Sequence, residues 1–425
     1  MQIVALGWEL YERTHQAAAL GYVGLVEFLP VLFLSLPAGH AVDRFDRKSI
    51  VTRALLLSAI ASTILAVISV KQGPIPLIYV CIAFIGVAQA FTAPARWSLL
   101  PSVVPDELLP SAITWSSSSW QIAAVVGPAL GGLVLWASGE AAFVYLLAAL
   151  SAVASAALII RIRPRPLERV AEEITLKSLF AGLRFVFNTD LLLAAITLDL
   201  FAVLLGGATA LLPIFAKDIL DVGPAWLGWL RAAPSLGALL MAVVLAHRPP
   251  LRHAGPSLLW AVAGFGAATV VFGFSKNVWL SFAMLALTGA LDQISIVVRG
   301  TLGQVLTPDS MRGRVGAVNA IFIGSSNELG DFESGMTAQW FGPVASVVGG
   351  GIGSIVVVLA VMARWPGIMR LGSLSKLLVS VEVPAAAAEQ ANGTPAAVIR
   401  ADVIAQQPPA PSDSLDQSAA PGRGD

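Results

Sequence analysis

The chain has 425 residues, 56% hydrophobic and 12% charged, with 26 basic residues set against 26 acidic ones and a mean hydropathy of +0.79. Soluble domains run at about 25% charged, so this composition excludes a soluble fold and points to an integral membrane protein. Zero net charge leaves no global basic field for a nucleic-acid partner, and a single cysteine, Cys81, excludes an intrachain disulfide and a cysteine metal cluster.

The first stretch, Met1 to Tyr11 (MQIVALGWELY), is apolar and has no basic region before it, so it does not read as a cleavable signal peptide. A helix of that length covers only about 16 Å of a roughly 30 Å hydrocarbon core. It is expected to be the second half of a first transmembrane helix, with the start placed too far downstream or the chain truncated. Apolar runs of spanning length follow at about 18–42, 49–70, 76–95, 111–137 and 141–160. A basic connector, 161–190, separates these from a second set at 191–216, 224–246, 255–274, 278–303, 315–339 and 344–363. The expected organisation is an all-α membrane protein with an N-terminal bundle (1–160), a cytoplasmic connector (161–190) and a C-terminal bundle (191–364). A disordered cytoplasmic tail (365–425), rich in Ala, Pro, Gln, Ser and Gly, completes it. Within the connector, Leu176, Leu179, Phe180, Leu183 and Phe187 recur at helical spacing beside Lys177 and Arg184, the pattern of an amphipathic helix lying on the inner surface.

Orientation follows from the basic residues. The loops on one side, with the flanking tail, hold 19 Lys and Arg, whereas the turns on the other hold four: Arg13, Lys71, Lys217 and Lys276. By the positive-inside rule both ends of the chain are expected in the cytoplasm.

Two segments match at an offset of 203. Arg96, Pro105, Asp106 and Gly127 fall on Arg299, Pro308, Asp309 and Gly330, in the contexts ARWSLLPSVVPDELLPSA and VRGTLGQVLTPDSMRGRVGA. Each copy occupies the fourth-to-fifth connection of its half. Two parallel six-helix repeats packed about a central cavity are therefore expected.

The motif GHAVDRFDRK, Gly39 to Lys48, crowds five charges into six residues between two apolar runs. It resembles the loop between the second and third helices of the major facilitator superfamily, matching at Gly39, Asp43, Arg44, Arg47 and Lys48, with Asp46 where glycine is usual. GPALGG, containing Gly127, Pro128, Gly131 and Gly132, is similar to the fifth-helix signature of the superfamily's antiporter subgroups. NELGDFESG (Asn327 to Gly335) looks like the bacterial efflux branch that includes the enterobactin exporter. The fourth span lacks the mid-helix arginine of many drug exporters, a departure that puts their coupling route in doubt here. The resemblance implies a latch at Asp43 that pairs with the opposite half when the cavity faces outward; the alternative is a solvated loop obeying the positive-inside rule. It also implies a bend at Pro128, at the interface between the halves, that seals the cavity. Small residues by themselves would mean ordinary helix packing.

Ionisable groups inside the spans point to ion coupling, because an unpaired charge at mid-bilayer costs at least about 2.5 kcal/mol. Glu27, Arg231 and Glu328 fall at one level, roughly 21 to 24 Å from the basic side, with Asp331 one turn further. This layer reads either as a structural ion-pair network or as a coupling site. Asp199 and Asp292 lie nearer the middle and are the favoured proton carriers, unless they pair with Arg299 or cap backbone. Nothing resembles a phosphate loop, a metal ligand set or a catalytic constellation, so no enzyme activity, cofactor or ATP drive is expected. The functional expectation is a proton-coupled secondary exporter of a small amphipathic molecule, drug or siderophore-like, monomeric in a bacterial cytoplasmic membrane, with substrate, protons and lipid as its partners. The competing readings are an importer or lipid transporter on the same scaffold, and a non-transporting membrane scaffold.

Overall fold

The computed structural model describes residues 1–165, 176–249, 251 and 253–372. The side chains of Leu36, Asp43, Asp106, residues 176–179, Asp309 and Ser310 lie outside that description, as do connector residues 166–175 and the tail from 373. In lipid the backbone must satisfy its own hydrogen bonds within each span, so every apolar run becomes a helix. The first bundle comprises α1 (Gln2–Thr14), α2 (Ala17–Arg44), α3 (Arg47–Val70), α4 (Ile75–Val103), α5 (Leu109–Ser138) and α6 (Ala141–Arg161). Helix α7 (Leu176–Phe187) leads to the second bundle, which opens with α8 (Asp190–Leu205). That span continues as a 3-10 turn (Ala208–Leu211), α9 (Leu212–Ile214) and a π-helical turn (Phe215–Ile219). The bundle is completed by α10 (Pro224–Ala246), α11 (Ala254–Phe274), α12 (Val278–Leu306), α13 (Asp309–Phe341) and α14 (Pro343–Arg364).

The turns have local causes. Asp46 accepts from the Ser49 backbone N–H at 2.9 Å and so caps α3 immediately after α2 ends. Gly139, at φ 71°, closes α5 in the left-handed conformation. Asn277 accepts from the backbone N–H groups of Trp279 and Leu280 to start α12.

Several helices outrun the apolar stretches that announce them. α4 continues from 95 to Val103 in spite of Pro94 and Pro101, α12 reaches Leu306, and α13 begins at Asp309 rather than 315. Hydropathy registers the lipid slab, whereas the helix continues beyond it. Among the described residues ten segments are long and apolar enough to cross a membrane. α1, with 13 residues, is too short, and α13 carries Glu328, Asp331 and Glu333 across.

The span expected as one helix over 191–216 is instead broken at Gly206 and Gly207. A Cβ on Gly206 would collide with the Phe265 ring, and one on Gly207 would lie 2.9 Å from the Gly330 carbonyl oxygen of α13. The interruption makes room for α13 beside α8. Helix α7 packs by one face: Val186 is buried with Leu192, Ile196, Val315 and Val318, while Phe180 and Phe187 face outward. Pro366–Arg370, inside the expected tail, form a 3-10 turn whose Ile368 is buried where Gly255 of α11 leaves space.

Within the first bundle α2 packs on α4 and α3 on both α4 and α6; in the second α10 packs on α12 and α11 on α12 and α14. The bundles join chiefly through α2 with α13 and α5 with α10.

Candidate functional site

Glycines report where the bundles touch. A Cβ on Gly132 of α5 would lie 2.5 Å from the Pro224 carbonyl oxygen and 2.7 Å from the Gly228 Cα of α10. One on Gly335 of α13 would lie 2.6 Å from the Gly21 Cα of α2. The offset of 203 carries Gly132 onto Gly335 and Gly21 onto Pro224, so the two contacts are one contact repeated. Both lie toward the face that carries Arg13 and Lys217. Toward the basic face, Cβ atoms on Gly39, Gly303, Gly313 and Gly316 would meet nothing within 4 Å. Ser111 to Trp120 of α5 is exposed or half-exposed throughout. The bundles therefore meet at one end and splay at the other, enclosing a central cavity that opens to the basic face.

The closed end of that cavity has a volume of about 320 Å³ and draws on both bundles. From α2 comes Glu27, to which Gln89 of α4 donates a hydrogen bond. Gly86, one turn before Gln89, admits the Glu27 backbone so closely that any Cβ there would strike its carbonyl oxygen. From α13 come Glu328 and Asp331, one turn apart; a Cβ on Gly24 of α2 would sit 3.0 Å from Glu328 Oε2. From α10 comes Arg231, whose Nη1 donates to the Thr209 carbonyl oxygen at 2.8 Å, a backbone acceptor freed by the break after α8. Among the described residues, Arg231 forms no direct ion pair with these carboxylates within 4.0 Å. Leu20, Val23 and Leu227 supply an apolar wall.

A second polar group lies inside the second bundle. Arg299 Nη1 of α12 meets Asp199 Oδ2 of α8 at 2.5 Å, and Arg299 Nε donates to Ser295 Oγ at 3.2 Å. Asp292, two turns before Arg299, borders the same small gap between α8, α11 and α12. Of the residues read from the sequence, Asp199 thus pairs with Arg299, while Glu27, Glu328, Asp331 and Arg231 converge on the central cavity.

The charged turn is bound within its own bundle. Arg47 Nη1 donates to the Ser98 carbonyl oxygen in the later part of α4 at 3.0 Å, and Lys48 Nζ donates at 2.8 Å to the Ile162 carbonyl oxygen, just past the end of α6, where a carbonyl lacks a helical partner. Arg44 is exposed, and the side chain of Asp43 lies outside the described residues. Gly127 and Gly131 face Met1 at the start of α1, and the Pro128 carbonyl oxygen lies at the position a Gly228 Cβ would need. Of the repeat pair, Arg96 is exposed where Arg299 is half-buried and paired, and Asp106 and Asp309 stand at helix starts with side chains outside the description.

Sequence reasoning missed three groups. Gln89 is one; the offset of 203 places it on Asp292 and could have found it. Thr209 is another. The third is the set on α1: buried Glu9 holds Arg13 at 3.1 Å and accepts from the Tyr145 hydroxyl at 2.9 Å. Beside it, Tyr11 donates to Asp218, and Lys217 pairs with Glu12 at 3.3 Å, tying the bundles together on the face opposite the basic one.

The chain is similar to known proteins. The family model described as transmembrane secretion effector matches residues 1–385. The multidrug efflux pump Tap of Mycolicibacterium fortuitum is 26% identical over 348 residues, covering 79% of this chain and 85% of its own. The enterobactin exporter EntS of Escherichia coli O1:K1 is 28% identical over 333 residues, covering 77% and 78%. Among solved structures, a bacterial homologue of the human lysosomal transporter Spinster, inward-facing and unoccupied, superposes with a TM-score of 0.67 at 14% identity, over 89% of this chain and 94% of that one. The nucleoside transporter NupG does so at 0.65 and 12%, over 85% and 95%.

Proposed function

Because the chain belongs to the transmembrane secretion effector family, major facilitator transporters that cross the bacterial cytoplasmic membrane many times, we propose that it is a secondary active exporter, moving a small amphipathic molecule outward in exchange for protons by alternating access. The basic face is read as cytoplasmic on the positive-inside rule, which makes the present state open to the cytoplasm. The observation that carries the reading is the convergence of Glu27, Glu328, Asp331 and Arg231 from opposite bundles at the closed end of the cavity. A group that couples proton binding to a rocking motion has to sense that motion. Carboxylates contributed by both bundles do so, since separating α2 from α13 changes their spacing and their access to water.

Asp199, Asp292 and Arg299 all belong to one bundle, and their spacing need not change when the bundles rock. They are assigned a supporting role, as the ion pair that fixes α8 against α12. The two efflux relatives favour export over import, and carboxylates facing a substrate-sized cavity favour a transporter over an inert scaffold. The test is transport in inverted membrane vesicles from cells making the full chain. Imposed acidification of the lumen is expected to drive uptake of a transported dye, and collapse of the gradient to release it. Uptake that is indifferent to the proton gradient, or that needs ATP, would falsify the coupling.

A further inference from the structure

Resting on the export reading above, we infer that the cavity takes a positively charged amphipathic molecule, a monovalent organic cation, in preference to a neutral or anionic one. At its closed end three carboxylates, Glu27, Glu328 and Asp331, face the guanidinium of Arg231. Three acids set against one guanidinium leave the carboxylates in excess. Glu27 and Arg231 come from symmetry-related helices, α2 and α10, so the imbalance arises from α13, which adds two acids where its repeat counterpart α5 carries none in the span.

An anion has little to hold it here. Among the described residues lining the cavity Arg231 is the one side-chain cation, and it already donates to the Thr209 carbonyl oxygen, while Glu27, Glu328 and Asp331 repel an anion whenever they are ionised. A cation relieves that excess, as a proton does, so the two are alternative occupants of the same charge. Leu20, Val23 and Leu227, which line the same cavity, call for an apolar body on the same molecule. The closed end alone, at about 320 Å³, has room for a small molecule.

The probes are two tetraphenyl ions of nearly equal size and opposite charge. Tetraphenylphosphonium and tetraphenylborate are each titrated against the purified full chain in detergent, with no gradient present. Saturable binding of the phosphonium at least tenfold tighter than that of the borate is expected. Glu328→Gln should weaken the phosphonium at least tenfold, and Glu140→Gln, an exposed acid at the start of α6, should leave it unchanged. Equal or tighter binding of the borate, no saturable phosphonium binding, or a folded Glu328→Gln protein with unaltered phosphonium affinity would each overturn the inference. If Glu328→Gln does not fold, the comparison of the two ions on the native chain still decides. Because the measurement is at equilibrium, binding of the cation with no proton-driven transport would sink the export reading while leaving the charge selectivity standing.

Discussion

Arg299 closes on Asp199 at 2.5 Å across the packing of α8 on α12, with side-chain exposures of 9% and 8%. At that burial the pair behaves as an interior one, for which losing a single partner strands a charge. Arg299→Met is therefore expected to destabilise the purified protein by about 3 kcal/mol, and the double change Arg299→Met with Asp199→Asn to recover most of the loss. Thermal unfolding of the three variants in detergent measures this; strict additivity of the two single changes would remove the pair from its structural role.

The same geometry separates the two groups of acids in transport. Glu328→Gln, at the junction of the bundles, is expected to abolish proton-driven uptake in inverted vesicles, while Asp292→Asn, wholly within one bundle, retains it at a rate reduced by no more than about tenfold, or roughly 1.4 kcal/mol in the barrier. The reverse pattern would move the coupling site into the second bundle.

Glu12 and Lys217 bridge the bundles at 3.3 Å on the face that must open for release. A Glu12→Cys, Lys217→Cys pair joined by a reducible bifunctional thiol reagent, long enough to replace the two side chains, should lock the resting protein and stop transport, with reduction restoring it. The one native cysteine, Cys81, is buried in α4, so background reaction is low. Full transport by the cross-linked protein would show that this face does not open.

Gly132→Val places a branched side chain where the Gly228 backbone lies. The contact between α5 and α10 should be wedged apart, shifting the population away from the state open to the basic face. A Ser117→Cys reporter on the exposed half of α5, labelled by an impermeant maleimide in inverted vesicles, should react several-fold more slowly in the Gly132→Val background. An unchanged labelling rate would mean that this contact does not gate the cavity.

Asp43→Asn tests the turn between α2 and α3, where Arg47 and Lys48 hold carbonyl oxygens of their own bundle. Transport is expected to fall at least tenfold while membrane insertion, followed by protease accessibility of the loops, stays normal. Equal losses of both would reduce the motif to a topology signal.

Much of the fold was legible because its cause is local. A run of apolar residues longer than the bilayer core must become a helix in lipid, and a glycine- and charge-patterned turn such as Gly39 to Lys48 marks where one ends. The repeat at an offset of 203 was legible for the same reason, since Arg96 and Arg299 each follow an apolar run and precede a Pro-Asp pair. Helix ends were not, because Val103 and Leu306 lie beyond the slab that hydropathy senses.

The candidate site was legible only as a list of depths. Counting residues placed Glu27, Arg231 and Glu328 at one level, but a level is a plane, and it cannot say that Gly24 brings Glu328 against α2 or that Arg231 turns to the Thr209 carbonyl. Nor could spacing along α12 show that Arg299 chooses Asp199 on another helix over Asp292 on its own. The sequence by itself determined that the chain crosses the membrane repeatedly in two related halves, because burial of apolar residues in lipid is a property of each segment alone. Which buried charges meet was decided only by the tertiary structure, because that depends on how glycines such as Gly86, Gly132 and Gly207 let separate helices approach, a relation between segments that no one of them contains.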